Sequence, residues 1–185
     1  MRGYFGVGIE GISKSYNLGA ILRTSNAFGA SFAFTIGATN RALEIKRTDT
    51  SKSENHMPFY EWDNPQNLVI PKNCKLVGVE LTNDSINLPS FRHPMNCVYI
   101  LGPEKGNLSD EIQQRCDYLV KIPTKFCINV GLACALTLYD RSIMLGGHPE
   151  RPVKVGGPNE NWVKPKKKGI IGRIYAKHSF LFTRE

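Results

Sequence analysis

The chain has 185 residues, enough for one α/β domain with a core and a short appendage, whereas two independent domains would be cramped. Hydrophobic residues make up 41% and charged residues 22%, and we find neither an apolar stretch long enough to span a bilayer nor a secretory signal at the start. The expected location is therefore cytoplasmic, and the net charge of +8 suits a polyanionic partner.

The hydrophobic pattern predicts alternating strands and helices from the start of the chain. Residues 4–9 indicate a strand, residues 17–28 a helix closed by Gly29, and residues 32–36 a second strand. A strand, a helix and a strand at this spacing form a βαβ unit. Asn17 stands at the predicted start of the helix, where its side chain can cap exposed amides.

The alternation continues through the rest of the chain. Residues 41–67 are polar, so we expect a loop or an irregular helix there. The predicted fold class is α/β, a mostly parallel sheet with helices on both faces. The further strands are expected at residues 75–81, 97–101 and 118–122, and the further helices at residues 109–115 and 129–145.

Positive charge is concentrated at the C-terminal end. Residues 150–185 hold nine Lys or Arg against three acidic residues, a balance of +6. We therefore expect a main domain at residues 1–149 and a basic extension at residues 150–185. A solvated tail and a nuclear-import address are alternatives to RNA binding by this extension. The candidate RNA contacts in it are Trp162, Lys166, Lys167 and Lys168.

The cysteines and histidines do not form a recognisable site. The five cysteines are odd in number, lack CxxC spacing and mostly lie in apolar surroundings, and the four histidines are scattered. We expect reduced cysteines that serve as small core residues, and no metal site. The cysteines are Cys74, Cys97, Cys116, Cys127 and Cys134.

Three segments share a mixture of small, amide and charged residues: 17–29, 100–111 and 121–133. In the second, an apolar strand pattern ends at a Gly-Pro-Glu turn before a helix that Ser109 can cap. Ligands in open α/β sheets bind in loops at the carboxyl ends of strands, so this turn predicts a ligand site. Gly102 has no side chain to keep a ligand from the backbone.

Single residues in these segments leave simpler interpretations open. Arg23 offers a fork of donors that suits a phosphate, although most lone helical arginines are surface charges. The carboxylate of Glu104 can orient an amide, accept a hydroxyl hydrogen bond or hold a loop. A surface salt bridge to Lys105 or Lys125 is an equal alternative for Glu104.

Taken together, in this order and spacing, the three segments resemble the signature motifs of the SpoU family of RNA ribose 2′-O-methyltransferases, in the SPOUT superfamily. The resemblance spans residues 4–141. It implies methyl transfer from S-adenosylmethionine to a ribose 2′-hydroxyl of structured RNA, without a metal, in a fold with a C-terminal trefoil knot. We expect tRNA rather than ribosomal RNA, because the chain has no room for the separate N-terminal RNA-recognition domain of several ribosomal RNA enzymes.

The resemblance also implies roles for single residues. Asn17 and Arg23 match the asparagine and arginine of the first motif. Glu104 matches the glutamate of the second motif, and Asn129 the asparagine of the third. These four are the expected catalytic residues. Since a guanidinium is a very poor base, Arg23 is expected to clamp phosphate and stabilise the developing alkoxide, with proton removal as the alternative. The expected cofactor contacts, largely through the backbone, are Leu81, Gly102, Ile122, Cys127 and Ile128.

The third segment departs from the family pattern. Where the family places serines two residues before and often two residues after the asparagine, this chain has Cys127 and Gly131. The missing hydroxyls keep open a catalytically inactive RNA-binding protein of the same fold, and methylation of a base is a third alternative. A nucleophilic Cys127 has little support, because no histidine is near it in sequence.

The resemblance further implies a homodimer in which Arg23 of one subunit completes the site of the other. The predicted helix at residues 129–145 is apolar over much of its circumference, which agrees with burial on two sides. A central core helix would have the same pattern.

Overall fold

The computed structural model describes residues 3–39, 57–148 and 151. Met1–Gly147 forms one compact unit, and little of the second unit, His148–Glu185, lies in the described ranges. The expected RNA contacts of the basic extension, Trp162, Lys166, Lys167 and Lys168, fall outside the described residues.

A seven-stranded sheet forms the centre of the described chain, with the strand order β3-β2-β1-β6-β4-β7-β5, and every neighbouring pair is parallel. Two short 3₁₀ turns, Pro65–Asn67 and Leu88–Ser90, lie in its connections. The strands are β1 Phe5–Glu10, β2 Phe32–Ile36, β3 Phe59–Trp62, β4 Lys75–Val79, β5 Ile86–Asn87, β6 Cys97–Leu101 and β7 Tyr118–Lys121. The helices are α1 Ser15–Ala27, α2 Asp110–Arg115 and α3 Val130–Leu145.

The chain order of the strands differs from their order in the sheet. β6 enters between β1 and β4, and β7 enters between β4 and β5. Because all pairs are parallel, the carboxyl ends of the strands lie at one edge of the sheet. The loops that follow β1, β4, β6 and β7, which are far apart in sequence, therefore meet there.

Helices cover both faces of the sheet, as the sequence predicts. On one face, α1 and α3 pack together over a core that includes Val7, Ile21 and Leu138. On the other face, Ile112 of α2 packs among aromatic and aliphatic side chains that include Phe34. Each face buries apolar side chains, and so the central strands β1, β2 and β6 are apolar almost throughout.

Two glycines of β1 make room for the aromatic side chains on the second face. A Cβ at Gly6 would lie 2.3 Å from the ring of Phe32, and one at Gly8 would lie 2.1 Å from the ring of Phe34. Both distances are far below van der Waals contact, so the rings occupy the space that side chains on β1 would otherwise fill. The rings stack on each other with centroids 6.2 Å apart.

Two strands were not expected, and several boundaries moved. The expectation of a loop or irregular helix is wrong at β3, Phe59–Trp62, while residues 40–56 lie outside the described ranges. β3 and β5 are the two edge strands, short and partly exposed, so they lack the apolar pattern of a buried strand. β4 ends at Val79, two residues before its predicted end.

A buried polar cluster anchors the second half of α3. Arg141 is fully buried and donates to the carbonyl oxygens of Pro94 at 2.6 Å and Met95 at 2.7 Å. Its guanidinium lies 4.8 Å from the centroid of the Phe5 ring. These contacts fix the loop before β6 to the helix.

His93 extends this cluster to the surface. Its Nδ1 lies 2.5 Å from the hydroxyl of Tyr99, and its Nε2 lies 3.0 Å from a carboxylate oxygen of Asp140. Burial lowers the pKa of His93, and the nearby carboxylate of Asp140 offsets only part of this effect. At neutral pH the contact with Asp140 is therefore a hydrogen bond of a neutral ring.

None of the helices in the described ranges is long and apolar enough to cross a membrane.

Candidate active site

A cleft of about 300 Å³ opens at the carboxyl edge of the sheet, where the loops after β4, β6 and β7 meet the starts of α1 and α3. This is where parallel sheets place their ligands, and the volume is at the lower end of the range for small-molecule sites. The cleft brings together eight of the residues expected from sequence. They are Asn17, Leu81, Gly102, Glu104, Ile122, Cys127, Ile128 and Asn129.

The carboxylate of Glu104 joins the turn after β6 to the start of α1. Its Oε2 accepts from the backbone N of Ser13 at 3.0 Å and from the Ser13 hydroxyl at 2.9 Å. Its Oε1 accepts from the backbone N of Lys14 at 3.0 Å and from Nδ2 of Asn17 at 3.0 Å. A carboxylate has about four acceptor positions, and these four donors fill them.

This environment keeps Glu104 ionised. Burial acts to raise the pKa of Glu104, but the hydrogen bonds from Asn17 and Ser13 together outweigh it, so the pKa lies below its usual value. In the described part of the chain, neither Lys105 nor Lys125 forms an ion pair with this carboxylate. All three roles left open by the sequence are present in place of a salt bridge: Glu104 orients the amide of Asn17, accepts a hydrogen bond from the Ser13 hydroxyl and holds the segment before α1.

Asn17 has a different role from the one expected from its position. α1 begins at Ser15, and its N-cap, Lys14, makes no side-chain capping bond, so the prediction that Asn17 caps the helix is wrong. The buried side chain of Asn17 instead donates to Glu104 and accepts from Nδ2 of Asn129 at 3.0 Å. Glu104, Asn17 and Asn129, which we call the amide relay, thus tie the three sequence segments together.

Asn129 is the N-cap of α3. Its Oδ1 accepts from the backbone N of Gly131 at 2.8 Å, which leaves its amide group to reach Asn17. A Cβ at Gly131 would lie 3.1 Å from Oδ1 of Asn129 and 3.5 Å from Cβ of Ala20. The contact with Ala20 of α1 would be an ordinary one, so a side chain at this position would press mainly on the capping oxygen of Asn129.

The cysteines divide into two groups. Cys97 and Cys134 are buried, and Cys74 and Cys116 are partly buried. Burial raises the pKa of all four, to about 12 for Cys116 and Cys134, so they are unreactive thiols as expected. The expectation of a core position is wrong for Cys127, which is exposed and lines the cleft.

Arg23 does not join the other expected catalytic residues within one copy of the chain. It lies on the exposed side of α1 and is not among the residues that line the cleft. Within the described ranges, no group of three His, Cys, Asp or Glu side chains is placed to hold a metal ion.

Sequence reasoning missed three charged residues of the cleft, Lys14, Glu80 and Lys121. The Nζ of Lys121 donates to the carbonyl oxygens of Thr82 at 2.8 Å and Asn83 at 3.1 Å, which holds the loop after β4. Glu80 fell inside the predicted strand of residues 75–81, whereas β4 ends one residue before it. The signal that could have found it is an acidic residue at the carboxyl end of a buried strand pattern.

A comparison with known protein families shows the family to which this chain belongs. The model of the SpoU rRNA Methylase family matches residues 5–139, which contain the whole amide relay. The chain belongs to the SpoU family. The family resemblance carried by the three sequence segments is thereby confirmed.

Individual SpoU relatives are similar over most of this chain. A tRNA (guanosine(18)-2′-O)-methyltransferase of Aquifex aeolicus (strain VF5) is 26% identical over 137 residues, which cover 71% of this chain and 65% of the relative. A 23S rRNA (guanosine-2′-O-)-methyltransferase RlmB of Coxiella burnetii (strain RSA 493 / Nine Mile phase I) is 26% identical over 141 residues, 71% of this chain and 55% of the relative. The SpoU chain thus spans between about half and two thirds of the length of these relatives.

A solved structure confirms the fold of the SpoU chain. The SpoU methyltransferase AviRb from Streptomyces viridochromogenes, in complex with the cofactor AdoMet, superposes with a TM-score of 0.70 at 21% identity, covering 80% of this chain and 60% of that one. The α/β class with a mostly parallel sheet is therefore shown both by the strand pairing and by this likeness.

Proposed function

We propose that this SpoU family chain transfers a methyl group from S-adenosylmethionine to a ribose 2′-hydroxyl of structured RNA. The observation that carries the proposal is the amide relay, because it joins the three family motifs at the wall of one cleft. The relatives named above are RNA 2′-O-methyltransferases, which supports the same reaction here.

The cleft fits the cofactor in size and in the chemistry of its walls. Apolar side chains line much of the cleft, and the loops that follow β4, β6 and β7 form its walls. The bound cofactor supplies an electrophilic methyl group on a sulfonium. The chain would hold it through Leu81, Gly102, Ile122, Cys127 and Ile128.

The amide relay serves the reaction by placing Asn129 and Asn17. Because four donors already fill the acceptor positions of Glu104, this carboxylate acts as a positioning residue and keeps Asn17 oriented. Asn17 in turn holds the amide of Asn129 at the cleft wall. Fixed dipoles of this kind stabilise the charge that develops when a hydroxyl is activated, without reorganising during the reaction.

The chain acts as a homodimer in this proposal. Leu132, Leu136, Tyr139 and Ile143 follow one another at helical spacing along α3 and are 60%, 44%, 53% and 40% exposed. Four large apolar side chains in one row form an unusual surface for an isolated chain and suit a second copy. Arg23, which lies outside its own cleft, then completes the cleft of the partner by clamping the RNA phosphate.

Subunit mixing tests the placement of Arg23. Arg23→Ala and Asn129→Ala each inactivate a homodimer, but a mixed dimer contains one cleft with an intact Asn129 and an intact Arg23 from the other subunit. An equal mixture after refolding should therefore recover about one quarter of the wild-type methylation rate. Recovery of no activity in a mixture that has formed mixed dimers would place Arg23 in the cleft of its own chain.

The apolar row itself is tested by Leu136→Glu, with Val69→Glu as the matched control. Val69 is 71% exposed, and its neighbours Leu68 and Ile70 pack on the face of the sheet opposite to α3. Light scattering should show a monomer for Leu136→Glu and a dimer for Val69→Glu. A dimeric Leu136→Glu protein would contradict the assigned interface.

Finer parts of the proposal concern the substrate, the tail and the topology. The substrate is tRNA in preference to ribosomal RNA, the chain works in the cytoplasm, and a trefoil knot closes the C-terminal part of the sheet. Residues 150–185 form a basic extension to the domain of residues 1–149, and Trp162, Lys166, Lys167 and Lys168 in it contact the RNA. Replacing the three lysines together should weaken RNA binding and flatten its salt dependence, with cofactor affinity unchanged.

The deciding experiment is incubation with tritiated S-adenosylmethionine and either bulk tRNA or ribosomal RNA, followed by nuclease digestion and nucleoside analysis. Label in an alkali-resistant dinucleotide is the expected result, and Asn129→Ala is the inactive control. Label on a base would replace ribose methylation with base methylation.

The same assay tests the non-catalytic alternative, for which the expected result is RNA binding without label. The presence of Cys127 and Gly131 in place of the family serines is the observation that favours this alternative. Gly131 supports it only weakly, since a Cβ there would lie 3.1 Å from the capping oxygen of Asn129.

A further inference from the structure

Two carboxylates line the cleft, those of Glu80 and Glu104, and they differ in how many of their hydrogen-bond acceptor positions are filled by donors of the protein. Donors of the protein fill the four acceptor positions of Glu104. The carboxylate of Glu80 accepts only two hydrogen bonds from the described residues, from the backbone N of Leu81 to its Oε1 at 2.9 Å and from the backbone N of Leu108 to its Oε2 at 2.7 Å. Each oxygen of Glu80 therefore keeps an acceptor position for a ligand in the cleft.

Glu80 is held in place before any ligand arrives. Its backbone N donates to the carbonyl oxygen of Val120 at 2.9 Å, and Lys121 fixes the loop that follows it. Gly102 leaves the space that the carboxylate occupies, because a Cβ there would lie 3.1 Å from Oε2 of Glu80. A carboxylate that is positioned by backbone amides on both sides loses little conformational freedom when it binds a ligand.

We propose that Glu80 accepts hydrogen bonds from the 2′- and 3′-hydroxyls of the cofactor's ribose. This inference rests on the proposed function, since it requires a nucleoside in the cleft. A carboxylate accepts hydrogen bonds and donates none, and a vicinal diol presents two O–H donors on neighbouring carbons, one for each oxygen. Acidic residues at the carboxyl ends of parallel strands bind nucleotide riboses in this manner in other α/β folds.

Glu10, the last residue of β1, supplies a matched control because its carboxylate binds the same loop as that of Glu80. Its Oε2 accepts from the backbone N of Ser109 at 2.8 Å, one residue after the amide that Glu80 holds, but Glu10 does not line the cleft. Removing either carboxylate therefore frees one amide of the same loop. Only the removal of Glu80 takes an acceptor out of the cleft.

The test is a cycle between protein variants and ligand analogues, measured by isothermal titration calorimetry without RNA. S-adenosylhomocysteine and its 2′-deoxy and 3′-deoxy analogues are titrated into the full-length protein, Glu80→Ala and Glu10→Ala. Deleting one hydroxyl should weaken binding to the wild-type protein and to Glu10→Ala by about tenfold, as expected for a hydrogen bond to a charged group. The same deletion should change the affinity of Glu80→Ala less than about twofold.

The cycle separates failure of this inference from failure of the proposed function. If the deoxy analogues lose the same factor in Glu80→Ala as in the wild type, Glu80 does not contact the ribose. An inosine-based analogue that loses affinity only when Glu80 is present would move the contact to the base and overturn the ribose assignment. If the wild-type protein does not bind S-adenosylhomocysteine at all, the proposed function fails instead.

Glu80→Gln keeps the test decisive if the alanine variant does not fold. The glutamine retains the shape of the side chain and one acceptor oxygen, and it lacks the charge. We expect the penalty for deleting at least one of the two hydroxyls to fall below about threefold in this variant. If deleting each hydroxyl weakens binding to Glu80→Gln as much as it weakens binding to the wild-type protein, the proposal is contradicted.

Discussion

The two ends of α3 are held by polar networks of opposite character. At its start, Asn129 belongs to the amide relay, which lines an open cleft. Twelve residues later, Arg141 is buried and directs its donors to backbone carbonyls of the loop before β6. The comparison teaches that one helix can carry two networks with different tasks. The network at its start faces a cleft that a ligand can enter, whereas the network around Arg141 is buried and holds the fold together.

The largest effect expected from this comparison is the loss of stability in Arg141→Leu. The substitution leaves the carbonyl oxygens of Pro94 and Met95 without their donors, at a cost of about 3 kcal/mol in the free energy of unfolding. Urea denaturation measures the loss. The affinity of the folded protein for S-adenosylhomocysteine should stay unchanged, and a large change in that affinity would refute the separation of the two networks.

Asn129→Ala should show the reverse pattern. Removing a fixed donor from an active site typically lowers the rate about 100-fold, whereas the loss of a helix cap costs only about 1 kcal/mol in stability. Asn129→Ser is the control, since it can still cap the helix but is too short to reach Asn17. Methylation assays should find both variants slow, and denaturation should find only the alanine variant destabilised.

Glu104→Gln tests the positioning carboxylate through its pH dependence. Its charge-assisted hydrogen bonds should stabilise the wild type by about 1–2 kcal/mol relative to this variant. Because the folded pKa of Glu104 lies below its usual value, this difference should be fully present above about pH 4.3, the value for an unfolded chain. It should disappear as the pH falls through the folded pKa. A difference that does not depend on pH would show that the charge contributes nothing.

The smallest expected effect concerns His93, which belongs to the buried polar cluster around Arg141. Since its folded pKa is lowered, the unfolded chain binds the proton more readily, and stability is lost as the pH falls below about 6.5. His93→Gln, which does not titrate, is the control. The stability difference between wild type and variant should shrink by less than about 1 kcal/mol between pH 7 and pH 5.5. A difference that grows over this interval would mean that the fold favours the charged ring.

The sequence by itself determined the elements with a strong pattern and the identity of the family. β6 lies where residues 97–101 predicted it, and Ser109 caps α2 by accepting from the backbone N of Ile112 at 3.2 Å, as its position predicted. These features depend on neighbouring residues, so local sequence carries the signal. The order of the motifs identified eight of the expected site residues before any contact was known, and the structure shows that these eight line the cleft.

Only the tertiary structure decided which residues meet. The bond between Asn17 and Asn129 joins residues 112 positions apart, and Glu80 and Leu108 are brought together by the insertion of β6 beside β4. In the sequence, Arg141 looks like an ordinary surface charge on a helix. Its guanidinium is buried, and its acceptors are carbonyl oxygens that lie 46 and 47 residues earlier in the chain. Strand order in the sheet sets these contacts, and local patterns of hydrophobicity do not encode strand order.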